Sequence, residues 1–151
     1  MKGDIFQSQA EMLVDPVNCV GVSGKGLARE FKRRFPNAVR HYERMCRRGL
    51  VWHDVPPAFY QFGHGAGVLV MTIAFVPTKK HWRDSSRFDH VRAATRQLAR
   101  LIESGAFTHA AVPAFGCGNG GLTWSEVEPM LRKELTIPRV KVDLYAPLEG
   151  Q

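Results

Sequence analysis

The stretch at residues 112–124, VPAFGCGNGGLTW, decides the reading of this chain, because an apolar run ends in a glycine cluster and a helix-start signal follows at once. Residues 109–115 read as a buried strand. Gly116, Gly118, Gly120 and Gly121 then fall within six residues. Backbone gives up that much conformational entropy only where φ must be positive or where something approaches closely. Thr123 or Ser125 caps a helix beginning near Trp124, with Glu126 and Glu128 in its first turn. Strand, glycine turn and helix N-terminus together aim backbone N–H groups and a positive dipole end at one place, which suits a phosphate. Gly116, Gly118 and Gly121 match G-x-G-x-x-G. Many tight turns share that pattern, and a single further strand follows, so a full dinucleotide-binding domain does not fit downstream.

The same arrangement recurs upstream. Residues 1–6 and 11–18 read as two short strands separated by a polar turn, with Met12, Leu13, Val14 and Val17 as the apolar content of the second. That strand runs into NCVGVSGKGLA, residues 18–28, and helix-forming residues take over at 27–34. Two strand–glycine loop–helix units can grip two phosphates or both sides of a diphosphate. Pro36 ends this helix or starts the next, which carries Val39, Tyr42 and Met45 at helical spacing and closes at Gly49. Arg29, Lys32, Arg33, Arg34, Arg40, Arg44, Arg47 and Arg48 crowd the two helices. Most of them read as a solvated face, leaving a subset for an anionic groove.

Residues 51–67 suggest an irregular hairpin around Gly-His-Gly-Ala-Gly. VLVMTIAFV, residues 68–76, suits a central strand covered on both faces and ends at Pro77. The polar loop 78–86 follows at the carboxyl end of that strand, the edge at which open α/β sheets bind ligands. Ser86 caps a long helix to about Ser104 with Phe88, Val91, Ala94, Leu98 and Leu101 as its buried stripe and Gly105 as its stop. A strand at 109–115, a helix at 124–135 and a strand at 140–145 complete one α/β layered domain over residues 1–151.

A chain of 151 residues buries about two thirds of the surface its unfolded form exposes and is expected to fold alone as one domain. No apolar run approaches the ~20 residues of a membrane span, and the acidic residues in MKGDIFQSQAEMLVD leave no apolar core for an export signal. Cys19, Cys46 and Cys117 lack C-x-x-C pairing or metal-ligand spacing, which fits a reducing cytoplasm and neither a disulfide framework nor structural zinc. A net charge of +7 and a pI near 9.7 point to an anionic partner.

Gly3-Asp4-Ile5, Val17-Asn18, the run from Val20 through Gly21, Val22, Ser23, Gly24 and Lys25 to Gly26, and the run from Pro113 through Phe115, Gly116, Cys117, Gly118, Asn119, Gly120 and Gly121 to Leu122 together resemble the macrodomain family, whose members bind ADP-ribose. Phe75-Val76-Pro77-Thr78-Lys79-Lys80-His81-Trp82-Arg83 is similar to the branch that contains DarG-type DNA ADP-ribosyl glycohydrolase antitoxins and a human terminal ADP-ribose protein glycohydrolase. The resemblance implies a three-layer α/β/α sandwich with a mixed central sheet. It places adenine against Asp4 and the backbone of Ile5, the diphosphate between the two glycine loops, and the distal ribose near Asn18. Asp4 can accept from an exocyclic amine, or simply close a turn; Asn18 can serve ribose hydroxyls, or satisfy its own loop.

The resemblance also implies a nucleophilic lysine after the central strand, and Thr78-Lys79 matches it, with Lys80 as the alternate. An amine attacks only when neutral, so burial or the neighbouring Lys80, His81 and Arg83 must lower its pKa. Gly120 stands where the human member carries an aspartate, so no acidic catalyst is carried over, and His81 is the titratable candidate for proton transfer. Trp82 can stack on a nucleobase or pack in the core, and Arg83 can meet a phosphate. The expectation is a cytoplasmic, monomeric glycohydrolase, with no metal or cofactor, that removes thymidine-linked ADP-ribose from single-stranded DNA and opposes a DNA-modifying toxin. A binding module of the same fold, a glycohydrolase acting on protein, and a basic nucleic-acid-binding domain are the alternatives.

Overall fold

The computed structural model describes residues 3–63 and 71–147. In chain order its elements are β1 (Met12–Asn18), α1 (Gly26–Arg34), α2 (Pro36–Arg47), β2 (Ala58–Phe62), β3 (Met71–Lys79), α3 (Phe88–Ser104), β4 (His109–Pro113), α4 (Trp124–Glu134) and β5 (Lys141–Tyr145), with 3-10 turns at Ile5–Gln7 and Gly118–Gly120. The strands form one sheet in the order β2-β3-β1-β4-β5. All neighbours are parallel except β2, which runs antiparallel to β3, so the sheet is mixed.

Strand alternation sorts the core into two layers. Met12 and Val14 of β1 pack with Val91 and Leu98 of α3 and Val127 and Leu131 of α4, whereas Leu13 and Val17 pack with Phe31 of α1 and Val39 and Tyr42 of α2. The result is the expected three-layer α/β/α sandwich. Asp15 lies between Leu13 and Val17 in β1, fully buried, and neither carboxylate oxygen has a partner. Burial pushes its pKa well up, so the neutral acid is the form the core holds.

Four expectations are corrected. Residues 5–7 form a 3-10 turn, not a strand, because the Asp4 carboxylate accepts from the Phe6 N–H at 2.9 Å and offers the backbone a local alternative to a ladder. The central strand does not stop at Pro77 but continues to Lys79. Beyond Phe75, β3 has lost β2 as a neighbour, so a missing proline N–H costs no ladder bond on that side. The cap of α3 is Arg87 and not Ser86, which is fixed by its N–H donating to the Gly120 carbonyl at 2.8 Å while its Oγ, the atom a cap would use, is buried without a hydrogen-bond partner. On α3 itself Phe88 is exposed, and Ile102 takes the buried place expected of Leu101. Residues 64–70, which include most of the expected glycine-rich turn and the start of the run at 68–76, lie outside the described residues.

Candidate active site at the carboxyl edge of the sheet

After β1 the chain leaves toward the α1–α2 layer, and after β4 it leaves toward the α3–α4 layer. Adjacent parallel strands whose connections part to opposite faces leave a crevice between them, the place where such sheets bind ligands. Both glycine loops open on this crevice. The loop after β3 joins them, since the Cys19 N–H donates to the Lys80 carbonyl at 2.9 Å and Ser86 is tied to Gly120.

The first loop is built on Asn18, which is buried. Its Oδ1 accepts from the N–H groups of Val20 at 3.1 Å, Gly21 at 3.0 Å and Val22 at 3.3 Å, and its Nδ2 donates to the Val22 carbonyl at 2.8 Å. The Tyr42 hydroxyl lies 2.7 Å from the Asn18 carbonyl, to which it donates, and 3.0 Å from Oδ1. Gly21 takes φ +83° to close the turn over Cys46. The structure thus gives the Asn18 side chain a loop-shaping task. The amides of Val20, Gly21 and Val22 face inward to it, so the donors of this loop that remain for an anion are those of Ser23, Gly24, Lys25 and Gly26 and the start of α1. That helix has no side-chain cap and no acidic residue in its first turn, so its positive end is uncompensated.

The second loop is closed differently. Gly116, Gly118 and Gly121 take φ of +69°, +73° and +82°. The Leu122 N–H donates to the Gly116 carbonyl at 2.9 Å and that of Gly121 to Gly118 at 3.3 Å. A Cβ on Gly120 would stand 2.5 Å from Ser86 Oγ, and one on Gly116 2.8 Å from Leu122 Cδ1. A side chain at 120 therefore requires Ser86 to shift. The N-terminus of α4, expected to face a phosphate, is already occupied: Thr123 and Glu126 form a capping box, with the Thr123 N–H donating to the Glu126 carboxylate at 3.3 Å. Glu128 lies beyond that first turn. Cys117, Phe115 and Leu122 pack into the core beneath α4. Burial pushes the Cys117 thiol up to about 11, and likewise Cys19 in the first loop, so neither loop cysteine offers a thiolate.

Lys79 ends β3 opposite Asn18, because the register skips Thr78 between the pairs Val17 with Pro77 and Asn18 with Lys79. A bulge of this kind re-aims the next side chain. The Lys79 amine is half-buried and donates to the Trp82 carbonyl at 3.1 Å. Burial lowers its pKa; Asp84 opposes that shift more strongly than the ammonium of Lys25 assists it. The assisting charge therefore comes from Lys25 in the first loop and not from Lys80, His81 or Arg83. Lys25 is the partner that local sequence could not reveal, since its effect depends on two loops meeting; Asp84 lies in the lysine's own loop, five residues on.

Of the remaining candidates, Asp4 is exposed and engaged as a turn cap, and Ile5 is buried in the α1–α2 layer. His81 accepts the Arg83 N–H on Nδ1 at 3.1 Å. Trp82 is 40% exposed, so it is no core residue; it stacks on His81 and lies under the Arg83 guanidinium, 4.5 Å from the ring centre. Among the described residues no group of three metal-ligating side chains assembles, and no helix is long and apolar enough to cross a membrane.

This geometry has close counterparts. A Mycobacterium tuberculosis DNA ADP-ribosyl glycohydrolase is 40% identical over 151 residues, covering 98% of this chain and 42% of the relative. A Thermosipho africanus DNA ADP-ribosyl transferase–DNA ADP-ribosyl glycohydrolase fusion protein is 33% identical, covering 99% of this chain and 42% of the relative. The chain thus spans about two fifths of the length of these curated relatives. Among solved structures, the macrodomain of Mycobacterium tuberculosis DarG superposes with a TM-score of 0.87 at 38% identity, covering 98% of this chain and 99% of that one. Thermosipho africanus DarTG in complex with ADP-ribose gives 0.87 at 33% identity, covering 99% of this chain and 41% of that one. The Macro domain profile matches residues 14–131, from β1 through the second glycine loop into α4, and with these relatives it establishes that the chain belongs to the macrodomain family.

Proposed function

We propose that this macrodomain is an ADP-ribosyl glycohydrolase that releases ADP-ribose from thymidine-linked modifications on single-stranded DNA, acting as antitoxin to a DNA ADP-ribosyltransferase. The observation that carries the reading is Lys79, half-buried and brought by the Thr78 bulge into register with Asn18, the residue that builds the first glycine loop. The DNA ADP-ribosyl glycohydrolase activity for which the relatives are named and the DNA ADP-ribosyl transferase fused to one of them support the substrate and the partner. The net charge of +7 favours a nucleic-acid carrier over a protein one.

In the proposed reaction the diphosphate sits between the loops, on the donors of residues 23–26 and the α1 N-terminus on one side and the second loop on the other. Adenine lies against Asp4 and Ile5. The neutral Lys79 amine attacks the anomeric carbon of the distal ribose; the bond from that carbon to the thymine nitrogen breaks, and the departing nitrogen takes a proton, for which His81 is the donor. Water then hydrolyses the lysine–sugar adduct, freeing ADP-ribose as product and restoring the amine, so no cofactor is consumed. Trp82 and Arg83 receive the DNA strand. The protein works as a cytoplasmic monomer on this reading.

The test is to incubate the protein with ADP-ribosylated single-stranded DNA and, separately, with ADP-ribosylated protein, and to see which loses the label. Loss from protein alone overturns the DNA assignment. One observation favours a non-catalytic binding module instead: the Lys79 amine already has an acceptor in the Trp82 carbonyl, and no acidic group stands at Gly120. Absence of turnover on both substrates, with ADP-ribose still bound, would establish that module.

A further inference from the structure

Next to the lysine loop lies an aromatic group that the proposed reaction does not use. The Lys80 ammonium, exposed, sits 5.7 Å from the centre of the Trp52 ring. Trp52 packs against His53 at 4.3 Å, and His53 stacks on His90 at 3.9 Å with 13° between the rings. Asp54, 3.3 Å from His53 Nε2, holds the edge of that imidazole. The three rings come from two separate places, the connection between α2 and β2 and the first turn of α3. Successive lysines thus lead in two directions: the Lys79 amine to the Trp82 backbone, where His81, Trp82 and Arg83 form one aromatic and cationic stack, and the Lys80 amine to Trp52.

Cationic side chains interleaved with aromatic rings beside a reactive centre are the construction that holds a single strand, because every base has a π-face and every linkage a phosphate. Double-stranded DNA would offer no free base faces, and a peptide offers no comparable series of rings and anions. We propose that Trp52, backed by His53 and His90, is a second nucleobase platform, which takes the base on one side of the modified nucleotide while Trp82 takes the base on the other. Lys80 leaves the Trp52 ring for the intervening phosphate when a base stacks there. The inference rests on the single-stranded-DNA reading above and deepens it by naming where the flanking nucleotides lie.

The experiment uses the full chain and unmodified strands, so it does not depend on turnover. Affinity is measured for a thymidine oligonucleotide and for an abasic strand of equal length, which carries the same phosphates without bases. The wild type should prefer the thymidine strand strongly, and Trp52→Leu and Trp82→Leu should each reduce that preference about tenfold. Trp52→Phe should restore it, which a purely steric role would not predict. Lys80→Ala, which leaves the packed rings in place, should lower the slope of log K against log salt by about one. Melting temperature and affinity for free ADP-ribose report whether each variant is folded. Equal wild-type affinity for the two strands, or an undiminished preference in folded Trp52→Leu, would overturn the platform and leave Trp52, His53 and His90 as a clip fastening the connection at residues 51–57 to α3, where Gln97 also donates to the Asp54 carbonyl at 3.0 Å. Strand preference that follows these expectations, together with no release of label from modified DNA, would preserve the platform and reject the glycohydrolase reading.

Discussion

The two glycine loops look alike as sequence and are held by opposite means. The first hangs on one buried amide, Asn18, which collects three N–H groups and a carbonyl and is itself steadied by Tyr42 from α2. Among its described side chains the second has no such hub: it closes on its own backbone, with Gly116 and Gly120 pressed against Leu122 and Ser86. Their helices differ in the same sense, since α1 starts uncapped and α4 starts with a capping box. The first unit therefore offers open donors and the Lys25 charge, and the second offers shape. A glycine cluster identifies a place where backbone must bend or be approached, but not which way its N–H groups finally point.

The sharpest separation of binding from cutting should come from Lys79, which lies in neither loop. Lys79→Ala should lower turnover by roughly a thousandfold or more while leaving ADP-ribose affinity within a few-fold, because a nucleophile acts on the transition state far more than on the bound ground state. Lys79→Arg should be equally inactive, as a guanidinium stays protonated and cannot attack. Steady-state kinetics beside calorimetric titration checks both, and full activity in Lys79→Ala would move the nucleophile to Lys80.

The next contrast tests the loops as anion sites. Ligand at a hundredfold excess over Kd stabilises the folded state by about 2.7 kcal/mol, so ADP-ribose should raise the melting temperature by several degrees. Gly24→Glu should abolish that rise, and nothing but Val22, at 4.0 Å, meets a Cβ there, so charge and not misfolding is the cause. Gly118→Glu should also abolish it. Its φ of +73° adds strain, which the melting temperature without ligand reports separately. A rise that survives in Gly118→Glu alone would assign the diphosphate to the first unit; survival in both would end the two-loop reading.

The supports themselves should differ in stability. Asn18→Ala orphans three amides and should cost about 2–3 kcal/mol, whereas Gly120→Ala crowds Ser86 and should cost about 1–2 kcal/mol. Urea unfolding measures both. The mechanisms separate in double variants: Ser86→Gly should rescue Gly120→Ala and do nothing for Asn18→Ala, and failure of that rescue would mean that Ser86 is not what limits position 120.

The smallest effect expected is on pH. Lys25 lowers the Lys79 pKa and Asp84 raises it. Lys25→Gln should therefore raise the Lys79 pKa and move the acid limb of the rate profile to higher pH by a fraction of a unit, and Asp84→Asn should move it to lower pH. No movement in either variant would leave burial as the sole influence, and shifts of reversed sign would mean that the acid limb does not belong to Lys79.

Strand and helix positions were legible because they depend on neighbours in the chain. The apolar run through Phe75, the helical spacing of Val39 and Tyr42 and the glycines at 116 to 121 each carry their own local signal, and the order of motifs was enough to identify the family. The position of Lys79 near the carboxyl end of a central strand was legible for the same reason, while its role comes from the family resemblance alone. Errors arose where a local group had more than one partner to choose from. Asp4 capped a turn in place of extending a strand, and Ser86 was fixed by its N–H to Gly120 while Arg87 took the cap position of α3; for Asn18 the structure realises the loop-satisfying alternative that the sequence left open.

By itself, then, the sequence determined the layered α/β fold, the two loop–helix units and the basic surface, because periodicity, glycine freedom and net charge are carried by residues adjacent in the chain. Only the tertiary structure decided which N–H groups stay open, that Thr78 is skipped so that Lys79 pairs with Asn18, that Lys25 acts on that lysine, and that Trp52 meets His90. Hydrogen-bond choice, strand register and electrostatic reach are set by which distant groups the packed sheet brings within a few ångströms of one another, and no local pattern encodes that distance.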